Sequence, residues 1–230
     1  MEAPLPAAAV SQLPARIADG AARLGLSLDA AQCARLARYL GMVQKWNKVY
    51  NLTAVRDPEE MLTHHLFDSL AAVPPLLRQR GDDAPFRILD VGAGAGLPGV
   101  VLAVCLPQAS VTCVDTVAKK AAFQQQVALE LKLPNLRGLH ARVETLDAPQ
   151  NVIVSRAFAS LVDFTQWSRR SLAPGGVWMA LKGRTPTSEM EALPADTEVF
   201  HVEPLTVPGL DAERCIVWMR PAAGGAEQGA

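Results

Sequence analysis

The sequence predicts an α/β fold: a mostly parallel sheet covered by helices, ending in an antiparallel hairpin and preceded by a helical extension. Three observations carry this. From Phe86 onward, short apolar runs alternate with helical stretches, which implies parallel strands joined by crossover helices. The last two apolar runs are separated only by Thr206 to Ala212, too little chain for a crossover, so they should pair antiparallel. The first eighty residues lack strand signals and show helical periodicity.

In chain order, Met1 to Val10 is rich in Ala and Pro, lacks the basic start of a secretory signal, and is expected to be a frayed end. Leu24, Leu28, Leu36, Leu40 and Val43 recur near a 3.6 period, with Asp29 expected to cap the longer helix. A second helix should run from Pro58, a first-turn residue, to Val73, where Pro74-Pro75 should stop it. The polar segment Gln79 to Pro85 reads as the join to the main domain. Strands are expected at Phe86–Val91, Ser110–Asp115, Leu136–His140, Asn151–Ser155, Gly176–Lys182, Glu198–Pro204 and Glu213–Met219. Helices are expected at Pro98–Cys105, Val117–Leu131 and Leu161–Leu172. The domain reading is therefore a helical extension over 1–80, a main domain over 81–220, and a disordered tail over 221–230.

Composition bounds the function. A chain of 230 residues, half of them hydrophobic, suits one α/β domain with an extension. No apolar run reaches the ~20 residues of a membrane span. Four cysteines (Cys33, Cys105, Cys113, Cys215) without a C-x-x-C pair read as buried thiols in a reducing compartment, hence cytoplasm. Net charge is −1 but uneven: residues 185–230 hold 2 basic and 8 acidic residues, whereas 1–184 hold 20 and 15. A basic front permits a phosphate-bearing partner without demanding one.

The strongest local signal is Asp90-Val91-Gly92-Ala93-Gly94-Ala95-Gly96-Leu97-Pro98-Gly99, which follows an apolar strand and opens a helix. Glycines there let the backbone turn sharply and approach a ligand closely. Two ligands compete. Gly94 to Gly99 fits the dinucleotide G-x-G-x-x-G pattern, with Asp115 near the spacing of a ribose-binding acid. Against this, Asp90 is a carboxylate directly before the loop, ill suited to a pyrophosphate and well suited to a ligand bearing an ammonium and a sulfonium. The D-x-G-x-G-x-G arrangement resembles the first motif of S-adenosylmethionine-dependent methyltransferases. Asp115 then takes the ribose hydroxyls, and Val143 and Glu144 lie where that superfamily places residues beside the adenine.

The fourth strand, Asn151–Ser155, and the residues after it to Ser160 carry neither the polar-Pro-Pro-aromatic motif of amino-methylating enzymes nor the cysteine of C5-pyrimidine enzymes. The strand ends instead in Ser155-Arg156-Ala157, and Arg156 is a planar, permanently charged group for a carboxylate or a guanine.

The ordered motifs Trp46-Asn47-Lys48-Val49-Tyr50-Asn51-Leu52-Thr53, His65-Leu66-Phe67-Asp68-Ser69-Leu70, the glycine loop, Asp115, Lys119-Lys120, Arg142-Val143-Glu144, Ser155-Arg156-Ala157 and Leu181-Lys182-Gly183 cover roughly residues 40–220. Through them the chain resembles the RsmG (GidB) family of 16S ribosomal RNA guanine-N7 methyltransferases. The resemblance implies a Rossmann-like class I methyltransferase fold, S-adenosylmethionine as cofactor, and N7 of guanine 527 in 16S ribosomal RNA as target. It places cofactor contacts at Gly92, Leu97, Asp115, Val143, Glu144 and Arg156; the loop reading adds Asp90, Gly94 and Gly96. The partner implied is 16S rRNA or the assembling small subunit, met by a monomer. His64, Lys120, Gln150-Asn151 and Cys215 depart from residues common in the family.

Guanine N7 has a lone pair and no proton, so the resemblance implies transfer without a general base, Arg156 positioning the reactants. His64 and His65, adjacent on a helix, point about 100° apart and are poor co-ligands for a metal; His65 is expected near Asp68. Trp46 and Tyr50 read first as an i,i+4 packing pair, and Asn47 and Asn51 as links from the extension to the loop or to RNA. Phosphate contacts are expected from Lys119, Lys120 and Lys182, with Lys48 and Arg184. Other readings are methyl transfer to a small molecule or protein, nicotinamide-dependent oxidoreduction, and a non-catalytic ribosome-associated module.

Overall fold

A computed structural model describes residues 7–81 and 84–222. The expected order of strands and helices is observed, with shifted boundaries. The chain opens with helices α1 (Ala7–Arg23) and α2 (Ala30–Tyr50), then α3 (Pro58–Met61), a π-helical turn over Leu62–Phe67, the short α4 (Asp68–Leu70) and α5 (Val73–Arg80). Then follow β1 (Phe86–Val91), α6 (Gly99–Cys105), β2 (Ala109–Asp115), α7 (Ala118–Glu130), β3 (Leu136–His140) and β4 (Gln150–Arg156). The chain continues with α8 (Leu161–Ser168), β5 (Leu172–Lys182), α9 (Thr187–Glu191), β6 (Thr197–Pro204) and β7 (Cys215–Pro221).

Asp29 caps α2 as expected, in a full capping box: its side chain accepts from the Gln32 N–H while Gln32 Oε1 accepts from the Asp29 N–H. Four readings are corrected. Helix α1 already runs through Ala7 to Val10, so that part of the expected frayed end is helical; residues 1–6 lie outside the described residues. The second helix does not continue to Val73, because a π turn and a break at Ala71-Ala72 interrupt it. Pro74 and Pro75 do not stop a helix; they sit in the first turn of α5, where missing N–H donors cost nothing. The join is shorter than Gln79 to Pro85, since α5 persists to Arg80 and ends at Gly81 in the left-handed region. At the far end β7 includes Pro221, and residues 223–230 of the expected tail lie outside the described residues.

The sheet order is β3-β2-β1-β4-β5-β7-β6, with the first five strands parallel and β7 antiparallel to both neighbours. The terminal hairpin is thus present, with β7 inserted inside and β6 outermost. The inner strands read as continuous apolar runs because both faces are covered. Trp178 on β5 and Trp218 on β7 are fully buried, and truncating either to Ala should cost about 3–5 kcal/mol. One apolar cluster runs from Ile17 and Leu36 in the N-terminal helices through Leu97 and Val100 to Ile88 and Val111 in the sheet. The extension is therefore packed into the same core as the sheet. Among the described residues no helix is long and apolar enough to cross a membrane.

Candidate active site

Strand order reverses between β1 and β4, so the connections after these strands diverge and leave a crevice at their C-terminal ends. Gly92 follows β1 and Arg156 ends β4, and both line a cleft of about 540 Å³. Gly94 and Leu97 line it too, together with Thr53, His65, Asp68, Lys182 and Arg214. Next to it lies a slot of about 490 Å³, lined by Gly92, Asp115, Val143, Glu144, Phe158 and Trp167 among others. Gly92 belongs to both, and the Phe158 ring lies over it: a Cβ on Gly92 would stand 2.5 Å from Phe158 Cδ2. Glycine is required there by this contact and by φ of +67°.

The loop is tied down from four elements. Gly92 and Ala93 donate to the Val114 carbonyl, and Gly94 N donates to Asp115 Oδ2 at 3.0 Å. Gln124 on α7 donates to the Gly94 carbonyl at 3.0 Å. Tyr39 on α2 donates its hydroxyl to the Ala95 carbonyl at 2.7 Å. From below, Asp90 Oδ2 accepts from Gly99 N at 2.7 Å. Neither Tyr39 nor Gln124 was singled out from sequence, since each sits in an ordinary helical pattern; the signal was at most a polar residue at a core position.

Two residues expected at the cofactor lie away from the cavities. Asp90 is fully buried beneath the loop and lines neither cavity. Its carboxyl is pushed up to about 7 by burial, opposed by the Gly99 N–H. Gly96 turns inward, where a Cβ would meet Val100 Cγ2 at 2.6 Å, so it serves loop packing. Asp115 does reach the slot, with one oxygen accepting from Gly94 N and the other from Val117 N at 2.9 Å. A carboxylate has about four acceptor sites, so a diol can still be bound. Glu144 is held below the usual carboxylate range by its own backbone N–H and by the Arg142 guanidinium.

Across the cleft, Arg156 Nη1 donates to Asp68 Oδ2 at 3.0 Å and to the His64 carbonyl at 2.8 Å. Asp68 Oδ1 accepts from Arg214 Nε at 2.8 Å. Asp68 thus fixes two arginines, and the expected pairing of His65 with Asp68 gives way to a 2.7 Å bond between His65 Nε2 and Thr53 Oγ1. Burial, with Arg156 nearby, pushes the His65 imidazole down to about 4, so it is neutral near pH 7. Arg214 was missed from sequence because it precedes a strand far along the chain; antiparallel β7 returns it to the edge where β4 and β5 end. Asn47 holds the Leu52 to Val55 turn, accepting from Thr53 N and donating to the Val55 carbonyl. Trp46 packs on Phe123 and Tyr50, so the aromatic pair is a packing pair. Of the expected phosphate contacts, Lys182 is ion-paired with Glu189 at 2.8 Å, and Lys120 lies 4.0 Å from Asp115. Lys48, Lys119 and Arg184 are exposed.

This sheet, with a glycine loop after β1 and an acid ending β2, defines the class: a Rossmann-like class I S-adenosylmethionine-dependent methyltransferase. Solved structures share the fold. The chain matches a SAM-dependent methyltransferase from Aquifex aeolicus at TM-score 0.54 and 18% identity, covering 74% of this chain and 96% of that one. It matches TrmN from Thermus thermophilus at 0.52 and 23%, covering 66% and 48%. The family model for rRNA small subunit methyltransferase G (GidB) matches residues 32–217, and the chain belongs to that family. Proteins named ribosomal RNA small subunit methyltransferase G are 65% identical in Acidovorax sp. (89% of this chain, 94% of that one) and 60% in Paracidovorax citrulli (96% and 95%).

Proposed function

We propose that this enzyme methylates N7 of a guanine in 16S ribosomal RNA, guanine 527 by family resemblance, in the cytoplasm and as a monomer. The observation that carries the reading is the paired cavity, an apolar slot joined to a charged cleft across Gly92. The slot suits an adenosine: apolar walls from Val143, Phe158 and Trp167 for the base, and Asp115 for the ribose hydroxyls. Gly94, with φ of +58° and no protein atom nearer than 3.9 Å to its Cβ position, leaves bare backbone for close approach. S-adenosylmethionine supplies an electrophilic methyl on sulfur.

The chain's own task is to orient and to exclude water. The Asp68 clamp holds the Arg156 guanidinium rigid at the cleft wall, where it can accept a carboxylate or face a guanine edge. Neutral His65 adds no further positive charge beside a nitrogen that must attack as a lone pair. N7 carries no proton, so the transfer needs no base, and the Thr53–His65 pair on the cleft wall has no proton to move in it. We read residues 1–80 as the part that walls the cleft and 81–220 as the part that binds the cofactor.

Tritiated cofactor, incubated with naked RNA and with assembled small subunits, tests the reading. Label should appear in small-subunit RNA and be released as 7-methylguanine. Label only in protein or in a metabolite would overturn the substrate and leave the cofactor standing; titration binding NADH rather than S-adenosylmethionine would overturn both.

A further inference from the structure

A second depression adjoins the cleft. It is an open groove of about 1070 Å³ between the start of α9 and the residues preceding β7, and it shares Lys182, Gly183 and Arg214 with the cleft. Gly183 forms the saddle between them. Its backbone is outside the left-handed region, and a Cβ there would have only Arg214 Nη1 near it, at 4.0 Å. The protein's own packing therefore gives no reason for a glycine, whereas Gly92 and Gly96 are each required by contact and φ. A strand passing over the saddle would use the room that the missing side chain leaves.

The groove's chemistry says what passes. Arg184 is exposed on its wall, with the hydroxyls of Thr185, Thr187 and Ser188 beside it. Glu189 is neutralised by Lys182. Arg214 is fixed by Asp68 and the Glu213 carbonyl, and its Nη2 has no hydrogen-bond partner among the described residues. Glu191 and Glu213 also line the groove, so an anionic chain must keep its phosphates on the arginine side and can turn base amino groups toward the carboxylates.

We infer that the groove holds the nucleotide next to the target guanine, with the connecting phosphodiester crossing Gly183 under Arg214. This rests on the reading of the enzyme as an RNA methyltransferase. A phosphate at the saddle takes the free Arg214 nitrogen as a charge-assisted donor, and Arg184 meets the following phosphate. Arg214 so becomes the residue shared by target and neighbour, fixing the register of the strand.

The test is Gly183→Leu, with Gly183→Ala as a graded second variant and Arg184→Ala as a charge variant. Small subunits purified from cells lacking the methyl mark serve as substrate; titration with S-adenosylmethionine and thermal unfolding serve as controls. Gly183→Leu should unfold like wild type and bind S-adenosylmethionine equally, but raise KM for subunits by about tenfold or more, Gly183→Ala being intermediate. Arg184→Ala should flatten the salt dependence of KM by about one unit of log–log slope. Unchanged KM in Gly183→Leu would overturn the inference alone, as would a parallel loss of cofactor affinity, which would make the saddle part of the cofactor site. No methylation of subunits by wild type would remove the reading and the inference together.

Discussion

Asp90 and His65 are two buried titratable groups whose effects on stability oppose each other. Asp90 keeps its proton up to about 7 in the folded chain, against ~3.9 when unfolded. Across that window the native state holds more protons, so its contribution falls as pH rises from ~4 to about 7. His65 is depressed to about 4 against ~6.5 unfolded, so its contribution is present above ~6.5 and lost as pH falls toward 4. Asp90→Asn should therefore leave the His65 dependence uncovered, with the melting temperature rising more steeply from pH 4.5 to 6.5 than in wild type. His65→Gln should reverse the slope over the same range. Identical profiles in all three proteins would contradict both assignments. At Gly94, where φ is +58° and space is open, Gly94→Val should cost about 1–2 kcal/mol of stability, yet lower S-adenosylmethionine affinity far more. Calorimetric titration showing unchanged affinity would contradict the loop's role.

At the scale of elements, α2 ties the helical extension to the loop through Tyr39 and is itself secured by its capping box. Asp29→Ala should lower stability by about 1 kcal/mol in urea unfolding, with kcat little changed. The cap was legible in the sequence because its interactions span three residues. So were the strands, whose apolar runs need only local neighbours to be recognised, and the glycine loop, whose turn demands a particular residue type. The helices around residues 58–80 were misread because Pro has two meanings, terminator and first-turn residue, and only the preceding break at Ala71-Ala72 decides between them. The burial of Asp90 beneath the loop was not legible, because sequence gives its adjacency to the loop and not the side its carboxyl takes. Arg214 could not be found at all from spacing. It meets Asp68 across 146 residues, through a strand reversal that no local pattern encodes.

For the whole molecule, the sheet ends on β3 at one side and β6 at the other. A sheet edge exposes unpaired backbone donors and acceptors that another chain can copy. β3 is only five residues long and carries exposed Arg137 and His140. β6 bears Glu198, His201 and Glu203, closes on Pro204, and has a register shift between Val199 and His201. Each of these blunts strand addition, by charge, by a missing N–H or by a break in the ladder. Sedimentation velocity should accordingly give one concentration-independent species at the mass of a single chain. Two substitutions, Glu198→Val and Glu203→Val, should turn that outer border into adhesive surface and bring faster-sedimenting oligomers into view.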